Sequence, residues 1–79
     1  MSNVEARVKK VTSEVLGVPV EEVSKESRFV EDLDAESIQS IELVAAFEAE
    51  FDIEMDEDEA LNVKSVGDAV AFVGKHLEE

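Results

Sequence analysis

The chain has 79 residues, 21 acidic against seven basic, with a formal net charge of −14 and no cysteine. Disulfides, thiolate metal sites and a cysteine nucleophile are therefore excluded, and the charge opposes binding to nucleic acid or to an anionic membrane surface. A hydrophobic fraction of 44% is too high for a disordered acidic tail, and the length permits one small domain, 1–79, with a thin core.

Apolar residues recur at helical spacing in three stretches, and none alternates as a strand would. The first carries Val4, Val8, Val11 and Val15. Ser2 or Asn3 can cap its start, Gly17 can end it in a left-handed turn, and Pro19 forbids its continuation. A long connection follows from Val18 to Ala35, anchored by Val20, Val23, Phe29 and Leu33; such a loop is functional or packed by its own side chains. The second helix spans about 37–51. The segment from Asp56 to Leu61 predicts one or two further turns, and its acidic run reads as a solvated face. The last helix carries Val66, Ala69, Val70, Val73 and Leu77, with Ser65 and Asp68 as a variant capping box. The expected fold is all-α: a four-helix bundle with three longer helices, one short helix and a long first loop.

The second helix bears two apolar stripes. At 100° per residue from Ser37, Leu43, Val44, Phe47 and Phe51 fall between about 240° and 340° and make a core stripe. Ile38, Ile41, Ala45 and Ala49 fall between about 40° and 120°, bordered by Glu42 and Glu48. Either the thin bundle also buries Ile38 and Ile41 against the loop, or the strip is exposed for another protein to dock on; both are expected to hold in part. Thirteen acidic residues and no Lys or Arg lie between Glu31 and Glu59, a segregation suited to steering basic partner surfaces.

A serine stands where the long loop becomes the second helix. Local physics favours Ser37 as the N-cap, with Asp34 as the alternative, which would leave Ser37 in the first turn. The residues Val8-Lys9-Lys10, Leu16-Gly17-Val18, Phe29-Val-Glu-Asp-Leu33, Ser37, Glu42-Leu-Val44 and Glu50-Phe51-Asp52 together resemble the acyl carrier proteins of fatty-acid and polyketide synthesis, nearest to the discrete bacterial type, from end to end. The resemblance implies 4′-phosphopantetheine on Ser37 as a phosphodiester, attached from coenzyme A by a phosphopantetheinyl transferase. It implies a carrier of acyl thioesters rather than an enzyme, and a bundle interior lined by Leu43, Val44, Phe47 and Ala69 into which cargo retreats. Glu36, Ile38, Ile41, Glu42, Ala45 and Glu48 are the expected docking residues for acyl-processing enzymes with basic surfaces. The family's usual Gly-x-Asp-Ser-Leu-Asp reads Asp34-Ala35-Glu36-Ser37-Ile38-Gln39 here, and Ala45 stands where a bulky methionine is frequent. These departures suggest a specialised carrier rather than the housekeeping one.

A calcium loop over Asp52–Val63 fails at its sixth and twelfth positions, Glu57 and Val63, and no metal site is expected. His76, the only histidine, reads as part of a solvated last turn, and no acid–base pair is evident. The competing reading is an acidic helical adaptor that binds basic proteins through the same strip without a prosthetic group. No secretory or membrane-spanning segment is visible, the longest apolar runs being the five residues Leu43–Phe47 and Ala69–Val73. A cytoplasmic monomer is therefore the expectation.

Overall fold

A computed structural model describes residues 4–77 and shows four helices: α1 (Val4–Leu16), α2 (Ser37–Phe51), α3 (Glu57–Asn62) and α4 (Val66–Leu77), with a single 3-10 turn at Val20–Glu22. The expected cap of α1 at Ser2 or Asn3 lies outside the described residues. Gly17 closes α1 at φ 69°, with its N–H bonded to Ser13 O at 2.9 Å. A side chain would have space there, but not the backbone angle.

The core follows the predicted stripes. Val4, Val8 and Val11 of α1 meet Leu43, Phe47 and Phe51 of α2 and Val66, Ala69 and Val73 of α4. α1 is the central element, packed against both long neighbours, whereas α3 touches the other helices only sparsely. Thr12, absent from the apolar pattern, is fully buried because its hydroxyl donates to Val8 O within the helix at 2.8 Å.

The long connection is pinned at both ends. Val23 and Phe29 enter the core, and the Phe29 ring lies 6.3 Å from that of Phe47. Val20 is instead 44% exposed and anchors little. Backbone bonds tie the connection to the start of α4: Phe29 N–H to Lys64 O at 3.0 Å, Val66 N–H to Ser27 O at 2.9 Å and Gly67 N–H to Lys25 O at 2.8 Å. Gly67 permits this approach, since a Cβ there would stand 3.0 Å from Lys25 O.

The two short-range caps are more specific than their composition suggested. The acidic run before α3 is not simply a solvated face. Asp56 Oδ1 accepts from Glu59 N–H at 2.8 Å, and Glu59 Oε1 accepts from Asp56 N–H at 3.1 Å, a reciprocal capping box. At α4, Ser65 Oγ accepts from Asp68 N–H at 3.1 Å, but Asp68 Oδ2 reaches past Ser65 to the N–H of Lys64 at 3.2 Å.

Candidate functional site

The path from loop to α2 is built by a tight turn. Asp32 and Leu33 both donate their N–H groups to Arg28 O, and Ala35 N–H bonds to Phe29 O at 2.8 Å. Arg28 reinforces the turn with its own N–H at 2.8 Å and its Nε at 3.1 Å to Asp32 Oδ2. Asp34 then takes φ 60°, the left-handed conformation that Asp tolerates better than most residues. Ala35 is buried and fixes the chain as it enters α2.

Ser37 is the first helical residue of α2, and Glu36 takes the cap position with extended angles, φ −84° and ψ 167°. The expectation of Ser37, or of Asp34, as the cap is therefore corrected. Capping passes to Gln39, whose Oε1 accepts the Glu36 N–H at 2.9 Å. The neutral residue that departs from the family's usual motif thus closes the helix start. The Ser37 side chain is left exposed, with no hydrogen bond to any other described residue. The first bond of the helix runs from Ser40 N–H to Glu36 O at 2.9 Å, so the N–H groups of Ser37 and Ile38 precede the ladder, with no carbonyl one turn back to take them. They and the positive end of the helix dipole favour a phosphate held beside the hydroxyl. The residues present fit a phosphodiester-linked group.

The second apolar stripe is open rather than shared with the loop. Ile38 is 62% and Ile41 70% exposed, and Glu36, Glu42, Ala45 and Ala49 are exposed with them. Expected burial of Ile38 and Ile41 against the loop does not occur: at about 100° and 40° round the helix they lie well off the arc of Leu43 and Phe47 that the core takes up. Glu48 differs from its neighbours on the strip: it is half-buried, and its Oε2 accepts the Met55 N–H at 2.9 Å, bracing the segment between α2 and α3.

Behind Ser37 the bundle holds a cavity of about 350 Å³ between α2, α3 and the loop. Leu43, Val44 and Phe47 line it as expected, joined by Phe29, Ala60 and Val63. Ala69 does not: it is 1% exposed inside the core cluster. Three polar residues that periodicity missed stand on the wall, Glu31, Ser40 and Lys64. Ser40, one turn after Ser37, carried a usable signal in that spacing. Val30 and Leu61 also line the cavity, yet are 55% and 69% exposed, so they form its apolar lips.

Electrostatics around the site is less one-sided in space than in sequence. Arg28 comes to Asp32, and Arg7 crosses from α1 to Glu50, Nε to Oε2 at 2.8 Å. Arg28, first through the hydrogen bond from its guanidinium and then through the one from its backbone N–H, holds the Asp32 carboxyl below the usual carboxylate range. Among the described residues no cluster of three or more His, Asp or Glu is placed to hold a metal ion, and no helix is long and apolar enough to cross a membrane. His76 is not merely solvated. It is half-buried, its ring centroid lies 4.2 Å from that of Phe72, and its Nδ1 lies 3.1 Å from Phe72 O.

A family model described as the phosphopantetheine attachment site matches residues 6–73. The match runs from α1 into α4 and includes the turn, Ser37 and the cavity walls. The chain belongs to this family, whose members are carrier domains bearing covalent 4′-phosphopantetheine and working with a phosphopantetheinyl transferase and acyl-processing enzymes.

Proposed function

We propose, with that family membership as the premise, that Ser37 is the attachment residue and that the protein carries acyl intermediates of fatty-acid, polyketide or related biosynthesis in the cytoplasm, as a specialised monomeric carrier. The observation that carries this reading is the Ser37 hydroxyl itself, exposed and without a partner among the described residues at the first turn of a 15-residue helix, one turn before the cavity-lining Ser40. When bound, the prosthetic group supplies a thiol on which an acyl chain travels as a thioester. The protein's own residues do the rest. The N-terminal N–H groups of α2 orient the phosphate, Leu43, Val44 and Phe47 offer apolar wall to the cargo, and the Arg28–Asp32 turn holds Ser37 in place.

Glu36, Ile38, Ile41, Glu42 and Ala45 form the docking strip, with Glu48 contributing at its end from a partly committed position. Exposed isoleucines give a partner apolar area, and the carboxylates select and steer basic surfaces. The short Ala45 leaves a flatter strip than a methionine would. An acidic adaptor would use the same strip, so only the prosthetic group separates the two readings.

Intact-mass measurement after treatment with coenzyme A and a broad-specificity transferase tests the proposal. One added phosphopantetheine, lost in Ser37→Ala, is the expected result. Folded protein that gains no mass with several transferases would be an adaptor instead. For docking, Ile41→Asp and Glu42→Lys should weaken turnover by partner enzymes while leaving the melting temperature close to the parent's. Unchanged kinetics in both variants would move the interface elsewhere.

A further inference from the structure

The cavity is not uniformly apolar: Glu31, Ser40 and Lys64 stand on its wall, and their side chains make no hydrogen bond or ion pair with another described residue. Ser40 is half-buried on the wall, and its hydroxyl makes no hydrogen bond to another described residue. A serine inside a helix can return its hydroxyl to a carbonyl one turn back, and Ser40 does not. Lys64 lines the same cavity and is the only Lys or Arg between Arg28 and Lys75. Its ammonium has no carboxylate within ion-pair distance among the described residues, although 21 of the 79 side chains are acidic. Its flexible stem can bring that ammonium to the cavity. Pockets that select a ligand combine an apolar body with a few such convergent polar groups.

Resting on the carrier reading, we propose that Ser40, assisted by Lys64, makes this cavity selective for acyl chains that bear an oxygen near the thioester, a β-keto or β-hydroxy group, over saturated chains of equal length. The cost falls on the saturated occupant. A fully apolar chain strips water from the Ser40 hydroxyl and offers nothing in return, leaving a buried donor unsatisfied. An oxygenated chain accepts that hydrogen bond while its tail packs on Phe29, Leu43 and Phe47.

The test loads Ser37 enzymatically from the coenzyme A esters of octanoic, 3-oxooctanoic and 3-hydroxyoctanoic acid, confirms each product by intact mass, and compares melting temperatures. In the parent protein the oxygenated forms should melt above the octanoyl form by about 4–8 °C, the shift of one net hydrogen bond in a domain of this size. Ser40→Ala should invert the order, raising the octanoyl form and lowering the oxygenated ones. Lys64→Gln should narrow the gap without inverting it. A merely structural Ser40 would move all three forms together, and the unloaded variants serve as the baseline for that. Equal melting of the three parent forms, or a gap that survives Ser40→Ala, would overturn the selectivity while leaving the carrier intact. Absence of any mass gain would remove the carrier reading and this inference with it.

Discussion

The two sides of α2 are made for different tasks. The side facing α1 and α4 is sealed: Val8, Thr12, Phe47, Val66 and Val73 are the largest side chains left with almost no accessible surface. On the side facing α3 and the loop, Val44 and Ala60 are only partly covered, and Val30 and Leu61 stand open at a 350 Å³ cavity. Both draw on one helix, and even on one residue, since Phe47 belongs to the core and to the cavity wall. The difference teaches that a 79-residue chain can keep an underpacked side only because the other is closed around a central α1. α3 is six residues long, shorter than an isolated helix can sustain, and is held by its capping box and by few neighbours. It is the element best placed to yield when the cavity fills.

The largest effects should separate the two sides. Phe47→Ala removes the ring that closes the core against Phe29, and losses for such truncations run to about 3–5 kcal/mol. With total stability for a chain of this length near about 4–12 kcal/mol, urea denaturation should find the variant close to or below its folding limit. Leu61→Ala, on the cavity lip, should shift the urea midpoint by less than about 0.5 kcal/mol equivalent. A comparable loss in Leu61→Ala would show that the α3 side carries fold stability after all.

A smaller effect concerns how the sealed side is stapled to the acidic one. Arg7 Nη2 donates to the Glu50 carbonyl at 2.8 Å while Nε engages Glu50 Oε2, and Cζ sits 4.5 Å from the Phe51 ring centroid. Arg7→Ala should lose about 1 kcal/mol, since exposed ion pairs and cation–π contacts are individually worth less than that. Around this staple and the Arg28–Asp32 turn, eleven of the thirteen acidic residues from Glu31 to Glu59 have no basic side chain within ion-pair distance among the described residues. Added salt should therefore raise the melting temperature, because screening relieves the repulsion between them. A melting temperature indifferent to salt would show that the acids are too well spread in space to repel.

How much of this was readable in the chain follows the same division. Val8, Phe47, Val66 and Val73 announce themselves by spacing, because a sealed core needs apolar residues at every turn. The ends of α1 and α4 were legible too, from Gly17 and Ser65. The cavity side is legible only in its α2 wall, Leu43, Val44 and Phe47. Its polar members, Glu31, Ser40 and Lys64, have no place in an apolar pattern, and Ala69 is not among its lining residues. The start of α2 is hard to read for a different reason. Three residues with capping potential, Asp34, Glu36 and Ser37, stand within four positions. The outcome was decided by the left-handed turn at Asp34 and by Gln39 reaching back, which are facts of backbone geometry.

The finest test of the division is pH, applied to the turn that sets Ser37 in place. Asp32 has its carboxyl depressed by the Arg28 side chain and backbone N–H, and the same pair raises the already high Arg28 value. A depressed carboxyl is charged more readily in the folded than in the unfolded chain. Its contribution is therefore complete above the ordinary value of 3.8 and is lost as pH falls through the folded-state value below it. Both groups are exposed, so solvent screens them and the effect is small. Comparing Asp32→Asn with the parent by urea denaturation cancels the other acids, which titrate in both proteins. The parent should be slightly the more stable at neutral pH, and the gap should close in acid below the carboxylate range. A gap that persisted there would assign the turn's strength to backbone bonds alone, and would make the loop that delivers Ser37 as independent of charge as the sealed core behind it.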